Sequence, residues 1–370
     1  MKVITAPEKV TLNLTNRCNL QCQYCAVSST KNAPGDLSFE NWKSIIDELA
    51  RIKVFQLVIS GGEPFLRKDL LAILKHIAQY PFRIAINTNA TLIQENIATH
   101  LGRSNRLNYI QVSLDGPDAA SHDRIRGKGS FKQLLAGIRM LRRYDIPFYF
   151  FVVVHQKNRK RIGDIIRFAI DSGAYRVAFS PIVPQGSALS HLKELMLSFE
   201  EEKSVEAELR HLKRTNPQLV GGTLIQAFEW MDQISQIAAE EKPDREANCI
   251  TSCGGSISEC AIRPDGEVIP CDRLWEYTVG NVKEVSFQNI WMHGEGFKKF
   301  RERYQRRVDS FAECRNCRYT DVCRGGCPAT AFGLGFGIDG WDPLSCYMVF
   351  RGRKENTIFS SGYYENASNA

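Results

Sequence analysis

Apolar residues occupy alternate positions in six short segments of the first half of the chain, the pattern of β-strands with one buried face. These segments are residues 10–15, 54–60, 83–90, 109–116, 147–155 and 175–183. Between them, apolar residues recur at intervals of three and four, which predicts amphipathic helices at 39–52, 68–80, 131–144 and 161–173. Repeated alternation of strand and helix predicts a parallel α/β sheet, either doubly wound or barrel-like.

Short polar motifs follow the first four predicted strands. They are a cysteine loop at 18–25, GGEP at 61–64, NTNAT at 87–91 and SLDGP at 113–117. In parallel α/β folds, functional groups collect at the carboxyl ends of the strands. Because each motif follows a strand, we expect the motifs to share one site at the carboxyl ends of the strands, as in a partial (β/α)6 TIM-type barrel.

The chain has 370 residues, more than one compact core usually serves. We predict a barrel at 1–188, a helical bridge at 189–247, a cysteine-rich domain at 248–350 and a tail at 351–370.

The formal net charge is +7, with basic runs at 157–161 and 301–307 that we interpret as solvated helix faces. Aromatic residues do not interleave with these charges, so we expect no nucleic-acid partner. The longest apolar run, 146–154, is too short to span a bilayer, and the N-terminus has no apolar export signal. We therefore expect a cytoplasmic protein without a membrane partner.

Cysteine usage is more informative than charge. Three of the 12 cysteines lie within 18–25, and the other nine lie within 249–346. Without an export signal, such clustering argues against a disulfide scaffold and for metal binding or redox chemistry.

The first cysteine loop contains Cys18, Cys22 and Cys25 and no fourth ligand. Three thiolates can hold three irons of a cubane [4Fe–4S] cluster and leave the fourth iron open to a small chelating molecule. A zinc loop or buried thiols are the alternatives, although structural zinc sites are normally closed by four ligands.

C-x3-C-x2-C directly after a first strand resembles the signature of the radical S-adenosylmethionine (SAM) superfamily. The resemblance implies that SAM chelates the open iron. One electron then cleaves the sulfonium and releases a 5′-deoxyadenosyl radical, which abstracts hydrogen from a substrate.

The same resemblance implies a set of SAM contacts. Gly61, Gly62 and Glu63 would engage the methionyl amine, although a plain turn is the alternative. Tyr24 would pack near the adenine, or serve as an ordinary packed tyrosine. The remaining contacts would be Ser113 and Arg126 at the ribose and carboxylate, Thr88 and Asn89 at the ribose or in a capping role, and Val183 at the adenine.

The second cysteine group resembles the SPASM domain, which carries two auxiliary iron–sulfur clusters. C-x12-G-x4-C is followed by C-x2-C-x5-C-x3-C and a distant cysteine. The resemblance assigns one cluster to Cys253, Cys271 and Cys327, and the other to Cys314, Cys317, Cys323 and Cys346. Two CxxC-type pairs could instead bind zinc.

Nine cysteines exceed the eight that two closed clusters need. The spacing of Cys260 fits the eighth ligand, which leaves Cys249 as the extra thiol. Cys249 is then an inert buried thiol, an alternative ligand or a hydrogen-atom donor to a substrate radical.

Asp272 directly follows Cys271, a region that resembles anaerobic sulfatase-maturating enzymes. The resemblance implies that this carboxylate acts as a base during substrate oxidation. An ordinary turn aspartate is the alternative.

We therefore predict a radical enzyme that modifies a ribosomally made peptide or protein side chain by crosslinking, epimerisation or oxidation. A tetrapyrrole side-chain enzyme is the second candidate, and an iron–sulfur electron carrier is the third. The expected cofactors are three [4Fe–4S] clusters and SAM, with flavodoxin or ferredoxin as the reductant. The chain begins almost at its first strand, so we expect a separate leader-peptide-binding protein, or none, rather than a fused recognition domain.

Overall fold

The computed structural model describes residues 4–30, 35–240, 249–250, 253–317, 319–320, 323 and 325–346. The predicted tail at 351–370 and the last residues of the predicted bridge, 241–247, lie outside the described residues. Within this part of the chain, no helix has the length and apolar character needed to cross a membrane.

The six predicted strands lie side by side, all parallel, in the order in which they occur in the chain. They are β1 (Lys9–Asn13), β2 (Gln56–Ser60), β3 (Arg83–Thr88), β4 (Leu107–Ser113), β5 (Phe148–Val153) and β6 (Val177–Ser180). The predicted α/β class and barrel-type sheet are confirmed.

Helices follow each of the first five strands. They are α1 (Phe39–Arg51), α2 (Leu70–Ile77), α3 (Glu95–Gly102), α4 (Ala119–Arg126), α5 (Ser130–Arg143) and α6 (Ile162–Ser172). The sequence pattern does not predict α3 and α4, because few large apolar residues mark their buried faces: Ile97 and Leu101 in α3, and Ile125 in α4. Gly173 ends α6 in a left-handed conformation with φ +78°, as predicted.

In the first four strands, the alternation separates an apolar outer face from an inner face that carries polar groups. In β1, Val10 and Leu12 are fully buried in the core beneath the helices. Thr11 and Asn13 point the other way and line an interior cavity. The other strands add polar side chains to this lining: Ser60, Asn87, Gln111, Ser113 and Ser180. The lining also includes apolar side chains such as Phe151 and Val153. We call this mixed interior the polar chamber, after the polar groups that the strands turn into it.

Three helices and a short strand form the region predicted as a bridge. They are α7 (Ser187–Leu195), α8 (Phe199–Thr215), β7 (Val220–Gly221) and α9 (Thr223–Glu240). β7 pairs in parallel with β6 and extends the sheet beyond the six predicted strands.

The cysteine-rich region joins the opposite edge of the same sheet. Its elements are β8 (Glu259–Ile262), β9 (Glu267–Ile269), β10 (Gly280–Asn281), α10 (Phe287–His293), α11 (Glu295–Glu302), α12 (Pro328–Gly333) and α13 (Pro343–Cys346). β8 runs parallel to β1, with Cys260 beside Val10, and β9 returns antiparallel to β8. The sheet order is β10-β9-β8-β1-β2-β3-β4-β5-β6-β7.

This pairing fixes where the second cysteine group enters. Cys253 precedes β8 and Cys271 follows β9, so both lie near the amino end of β1. The loop with Cys18 leaves the carboxyl end of β1. The two groups of thiols therefore approach the polar chamber from opposite ends of the barrel.

Candidate active site

The first cysteine loop is anchored to the GGEP segment by backbone hydrogen bonds. The N–H of Gly62 donates to the carbonyl of Thr15 at 2.7 Å, and the N–H of Glu63 donates to the carbonyl of Arg17 at 2.9 Å. The Cys18 N–H donates to the Thr30 carbonyl at 3.0 Å and closes the base of the loop. The loop is thus held at the carboxyl edge of β1 and β2.

The two glycines of GGEP allow this close approach. Gly61 has φ +126°, and a Cβ added there would collide with the backbone carbonyl of Thr15. A Cβ on Gly62 would collide with the carbonyl of Arg17. Besides any ligand contact, these glycines therefore let the second loop pack on the first.

We expect Gly61→Ala to destabilise the protein more than Gly127→Ala. Both residues have positive φ, but nothing lies within 4 Å of a Cβ added at Gly127. The control therefore carries only the backbone strain of about 1–2 kcal/mol, whereas Gly61→Ala adds a collision with the Thr15 backbone. Thermal unfolding of the two variants measures the difference, and equal Tm values would contradict the packing role of Gly61.

Glu63 is fully buried beneath the chamber. Its carboxylate accepts the Thr88 hydroxyl at 2.8 Å, the Asn89 N–H at 2.8 Å and the Phe65 N–H at 3.1 Å. Burial raises the pKa of Glu63 to about 7, although these three hydrogen bonds oppose the shift. In this geometry Glu63 organises the loop after β3, and its predicted contact with the methionyl amine stays a prediction.

Thr88 and Asn89 both line the chamber, and both make local capping bonds. Thr88 Oγ1 accepts the Ala90 N–H at 2.9 Å, and Asn89 Oδ1 accepts the Thr91 N–H at 2.9 Å. Asn89 Nδ2 donates to Asn19 Oδ1 at 3.0 Å and lies 3.9 Å from Cys18 Sγ. The NTNAT turn is therefore bonded directly to the cysteine loop.

Asp115 is the centre of a buried network that sequence reasoning missed. This carboxylate is fully buried and accepts the Tyr24 hydroxyl and Arg126 Nε, each at 2.5 Å. Arg126 Nη2 also donates to the Tyr24 hydroxyl at 2.8 Å. Two of the side chains predicted to contact SAM, Tyr24 and Arg126, are thus held by one aspartate.

The same network reaches a cysteine of the first loop. Arg126 Nη1 lies 3.7 Å from Cys22 Sγ and donates to it. Burial raises the pKa of the Cys22 thiol to about 12, and the Arg126 charge opposes that shift. Burial also raises the pKa of Cys18 to about 11. These thiols need a strong cationic partner to be held as thiolates, which is what iron supplies.

Two histidines border the network. His155 Nε2 lies 3.6 Å from Asp115 Oδ1, and His122 Nδ1 accepts the Asp115 N–H at 3.4 Å. Burial lowers the pKa of His122 to about 4, so its ring is neutral. Burial by itself would raise the pKa of Asp115, but the Arg126 charge and the histidines hold it below its usual value. Asp115 is therefore a permanent anion beside Arg126.

Several thiols accept an N–H from the residue two positions further along the chain. The pairs are Leu20 N–H to Cys18 Sγ at 3.4 Å, Gly255 to Cys253 at 3.3 Å, Arg273 to Cys271 at 3.5 Å and Gly325 to Cys323 at 3.4 Å. Hydrogen bonds to sulfur favour the thiolate form and tune iron–sulfur clusters. The donor set therefore fits iron–sulfur clusters in both cysteine groups.

The thiols line two cavities. A cavity of about 790 Å³ is lined by Cys18, Cys22, Cys25, Cys253, Cys260, Cys271 and Cys327. A second cavity of about 500 Å³ is lined by Cys253, Cys314, Cys317, Cys323, Cys327 and Cys346. Among the described residues, no three Cys, His, Asp or Glu side chains are grouped tightly enough to hold a single metal ion.

Cys260 and Cys249 occupy different surroundings. Cys260 is 2% exposed, packs in the main apolar core and also lines the larger cavity. Cys249 pairs through its backbone with Arg307 and lines neither cavity. Neither position tests the predicted roles of these thiols.

The other predicted residues surround the larger cavity. Tyr24, Gly61, Gly62, Ser113, Arg126, Val183 and Asp272 all line it. Asp272 Oδ1 accepts the Cys271 thiol at 3.4 Å. One chamber therefore joins the three-cysteine loop at one end to Cys271 and Asp272 at the other.

Comparisons with known proteins agree with this site. The radical SAM superfamily model matches residues 12–169, and the SPASM model, an iron–sulfur cluster-binding domain, matches residues 253–318. The AdoMet-dependent heme synthase of Methanosarcina barkeri is 32% identical over 334 residues, 88% of this chain and 93% of the relative. The chain belongs to the radical SAM superfamily.

Other relatives of this radical SAM enzyme include a peptide maturase. Mycofactocin maturase MftC of Mycolicibacterium smegmatis is 30% identical over 344 residues, 92% of this chain and 83% of the relative. The crystal structure of Streptococcus suis SuiB bound to precursor peptide SuiA matches with a TM-score of 0.72. That match covers 93% of this chain and 76% of SuiB at 16% identity, and it shows the fold.

Membership in this family also identifies the cofactors. SAM and [4Fe–4S] clusters are the cofactors of this radical SAM enzyme, as the resemblance of its cysteine motifs implied. The thiols, their N–H donors and the cavities that they line fit these groups.

Proposed function

We propose that this radical SAM enzyme modifies a side chain of a ribosomally made peptide or protein. The observation that carries the proposal is the polar chamber of about 790 Å³, which joins the first cysteine loop to Cys271 and Asp272. Its volume lies in the range of small-molecule and cofactor sites, and its inner strand faces offer amide and hydroxyl groups. Such groups suit the carbonyl and N–H groups of a peptide.

When bound, the SAM-binding cluster supplies the electron that cleaves SAM. The protein's own part is to hold the reactants. Tyr24 and Arg126, fixed by Asp115, border the cosubstrate end of the chamber. Asp272 lies at the opposite end, and we propose that it accepts a proton from the oxidised substrate.

We assign the metal ligands as the sequence predicted them. Cys18, Cys22 and Cys25 hold the cluster that binds SAM. Cys253, Cys260, Cys271 and Cys327 hold one auxiliary cluster, and Cys314, Cys317, Cys323 and Cys346 hold the other. The cavity linings support this division in part. All four ligands of the first auxiliary set line the larger cavity, and all four of the second set line only the smaller one, although Cys253 and Cys327 border both.

Two cysteine variants test the eighth ligand. We expect Cys260→Ala to lose up to about four irons per chain, because its cluster would lack a ligand. Cys249→Ala should keep the iron content of the wild type, because Cys249 lines neither cavity. Iron and sulfide analysis after anaerobic reconstitution measures both. The reverse pattern would make Cys249 the ligand and Cys260 a core thiol.

A tetrapyrrole substrate is the second candidate. The observation that favours it is the 32% identity with the AdoMet-dependent heme synthase of Methanosarcina barkeri. The amide and hydroxyl groups of the chamber suit a peptide, whereas its apolar side chains, such as Phe151 and Val153, would also suit a macrocycle.

Anaerobic reconstitution with dithionite and SAM tests the proposal. We expect 5′-deoxyadenosine to form, and its yield to rise when short peptides encoded beside the gene are added. Mass spectrometry should show a modified peptide. A change in an added tetrapyrrole, with peptides unchanged, selects the second candidate. No 5′-deoxyadenosine at all overturns the enzymatic proposal and leaves an electron carrier.

We also propose a reducing cytoplasm as the setting, because clusters of this kind are oxygen-sensitive. A flavodoxin or ferredoxin would then deliver the electron. A separate leader-peptide-binding protein is part of this proposal only if the substrate carries a leader.

A further inference from the structure

Arg273 is a cationic side chain of the chamber that has no side-chain partner in the described part of the chain. Its guanidinium makes no hydrogen bond or ion pair with any described residue, although the side chain is half-buried and lines the cavity. The buried arginines elsewhere in the described chain all donate to protein oxygens: Arg67 to Leu14, Arg126 to Asp115, Arg301 to Ser256 and Arg303 to Ile338.

The charged groups described near Arg273 do not form an ion pair with its guanidinium. Lys9 and Glu259 form an ion pair with each other at the same end of the chamber. Asp272 accepts the Cys271 thiol, and neither Asp272 nor Glu259 is within ion-pair distance of the guanidinium. An arginine guanidinium stays protonated in proteins, so the charge persists. A guanidinium in such a site retains five donors in a planar fork.

Asn13 gives a second, independent observation. Its side chain is 2% exposed and lines the same chamber. Its Nδ2 has no hydrogen-bond partner among the residues that the structure describes. A buried amide donor without a partner costs free energy unless a ligand or water accepts from it. Asn13 ends β1, whereas Arg273 lies at the amino end of that strand, so the two donors face the chamber at different depths.

We propose that Arg273 and Asn13 form a substrate subsite in which Arg273 pairs with a substrate carboxylate and Asn13 donates to a carbonyl oxygen. The proposal rests on the function proposed above and narrows its substrate to molecules that carry a carboxylate. A carboxylate accepts two parallel N–H bonds from a guanidinium, which gives both affinity and orientation. The carboxylate would belong to a peptide C-terminus, an acidic side chain or a tetrapyrrole propionate.

Equilibrium dialysis against the anaerobically reconstituted enzyme with SAM tests this subsite. The first probes are pools of N-acetylated random tripeptides with free C-terminal carboxylates and with C-terminal amides. Within the pool of peptide amides, retention of glutamate-containing peptides is compared with retention of the corresponding glutamine-containing peptides, which tests a charged side chain against a neutral one. The last pair is a tetrapyrrole with free propionates and its propionamide. Mass spectrometry gives the retained ratio of acid to amide for each pair.

We expect the wild type to favour the acid form by about tenfold or more in at least one pair. Arg273→Gln should bring that ratio close to one, and Arg273→Lys should keep part of it, since the charge remains without the planar fork. Asn13→Leu should weaken both forms without changing their ratio. Arg306→Gln, which removes an exposed guanidinium of the same region, should keep the wild-type ratio.

The pair of acid and amide probes in which the acid form is preferred identifies which part of the substrate supplies the carboxylate. No acid preference in any pair overturns the proposal, as does a preference that persists in both Arg273 variants. A changed midpoint potential of an auxiliary cluster with an unchanged ratio also overturns it, because Arg273 would then serve the cluster. Iron content verifies that each variant is intact. Formation of 5′-deoxyadenosine by the wild type, measured in the same preparation, separates failure of this subsite from failure of the proposed enzyme.

Discussion

Replacing Cys22 with alanine is expected to abolish formation of 5′-deoxyadenosine and to lower the iron content by up to about four atoms per chain. The reason is that the first loop offers three thiols and no fourth protein ligand. Loss of one of three ligands leaves two, too few to retain the cluster. The measurements are iron analysis and chromatography of the nucleoside products after anaerobic reconstitution.

Cys249→Ala is the matched control for that experiment. It removes a thiol that lines neither cavity, so both iron content and SAM cleavage should match the wild type. Electron paramagnetic resonance should show that Cys22→Ala keeps the auxiliary clusters, whose predicted ligands lie in a distant part of the sequence. Wild-type amounts of 5′-deoxyadenosine from Cys22→Ala would contradict the assignment of this loop.

The barrel was predictable because its signal is local. The first four strands alternate apolar outer residues with inner residues that include polar groups, as in Val10 and Leu12 against Thr11 and Asn13. The pairing of β8 with β1 was not predictable, since it joins residues about 250 positions apart and leaves no periodic trace. That pairing nevertheless decides the site, because it brings Cys271 and Asp272 to the amino end of the barrel.

The candidate site was predictable where chemistry restricts residue type. Iron–sulfur clusters are held mainly by cysteine thiolates, so the cysteine spacing carried the family resemblance that implied the cofactors. Asp115 was missed for a physical reason: its importance comes from burial and from partners at positions 24 and 126, which the sequence does not place beside it. The available signal was an acidic residue directly after a buried strand, in the same SLDGP motif that had drawn attention to Ser113.

Asp115→Asn is expected to lower the free energy of unfolding by about 3–5 kcal/mol, because it leaves the buried Arg126 guanidinium without an anion. In a chain of this size, the Tm should fall by roughly 5 °C. Since Arg126 and Tyr24 would also lose their common anchor, we expect the KM for SAM to rise by about tenfold. Differential scanning calorimetry and the SAM dependence of 5′-deoxyadenosine formation measure the two effects.

The double variant Asp115→Asn/Arg126→Gln separates stability from binding. Removing both charges leaves a neutral buried pair, so part of the lost Tm should return even though a second residue has been changed. The KM for SAM should stay high, because the double variant lacks both the anchor and the guanidinium beside Cys22. A double variant that is less stable than Asp115→Asn would show that the buried charge was not the cause. If both the Tm and the KM for SAM returned toward their wild-type values, Arg126 would take no part in holding SAM.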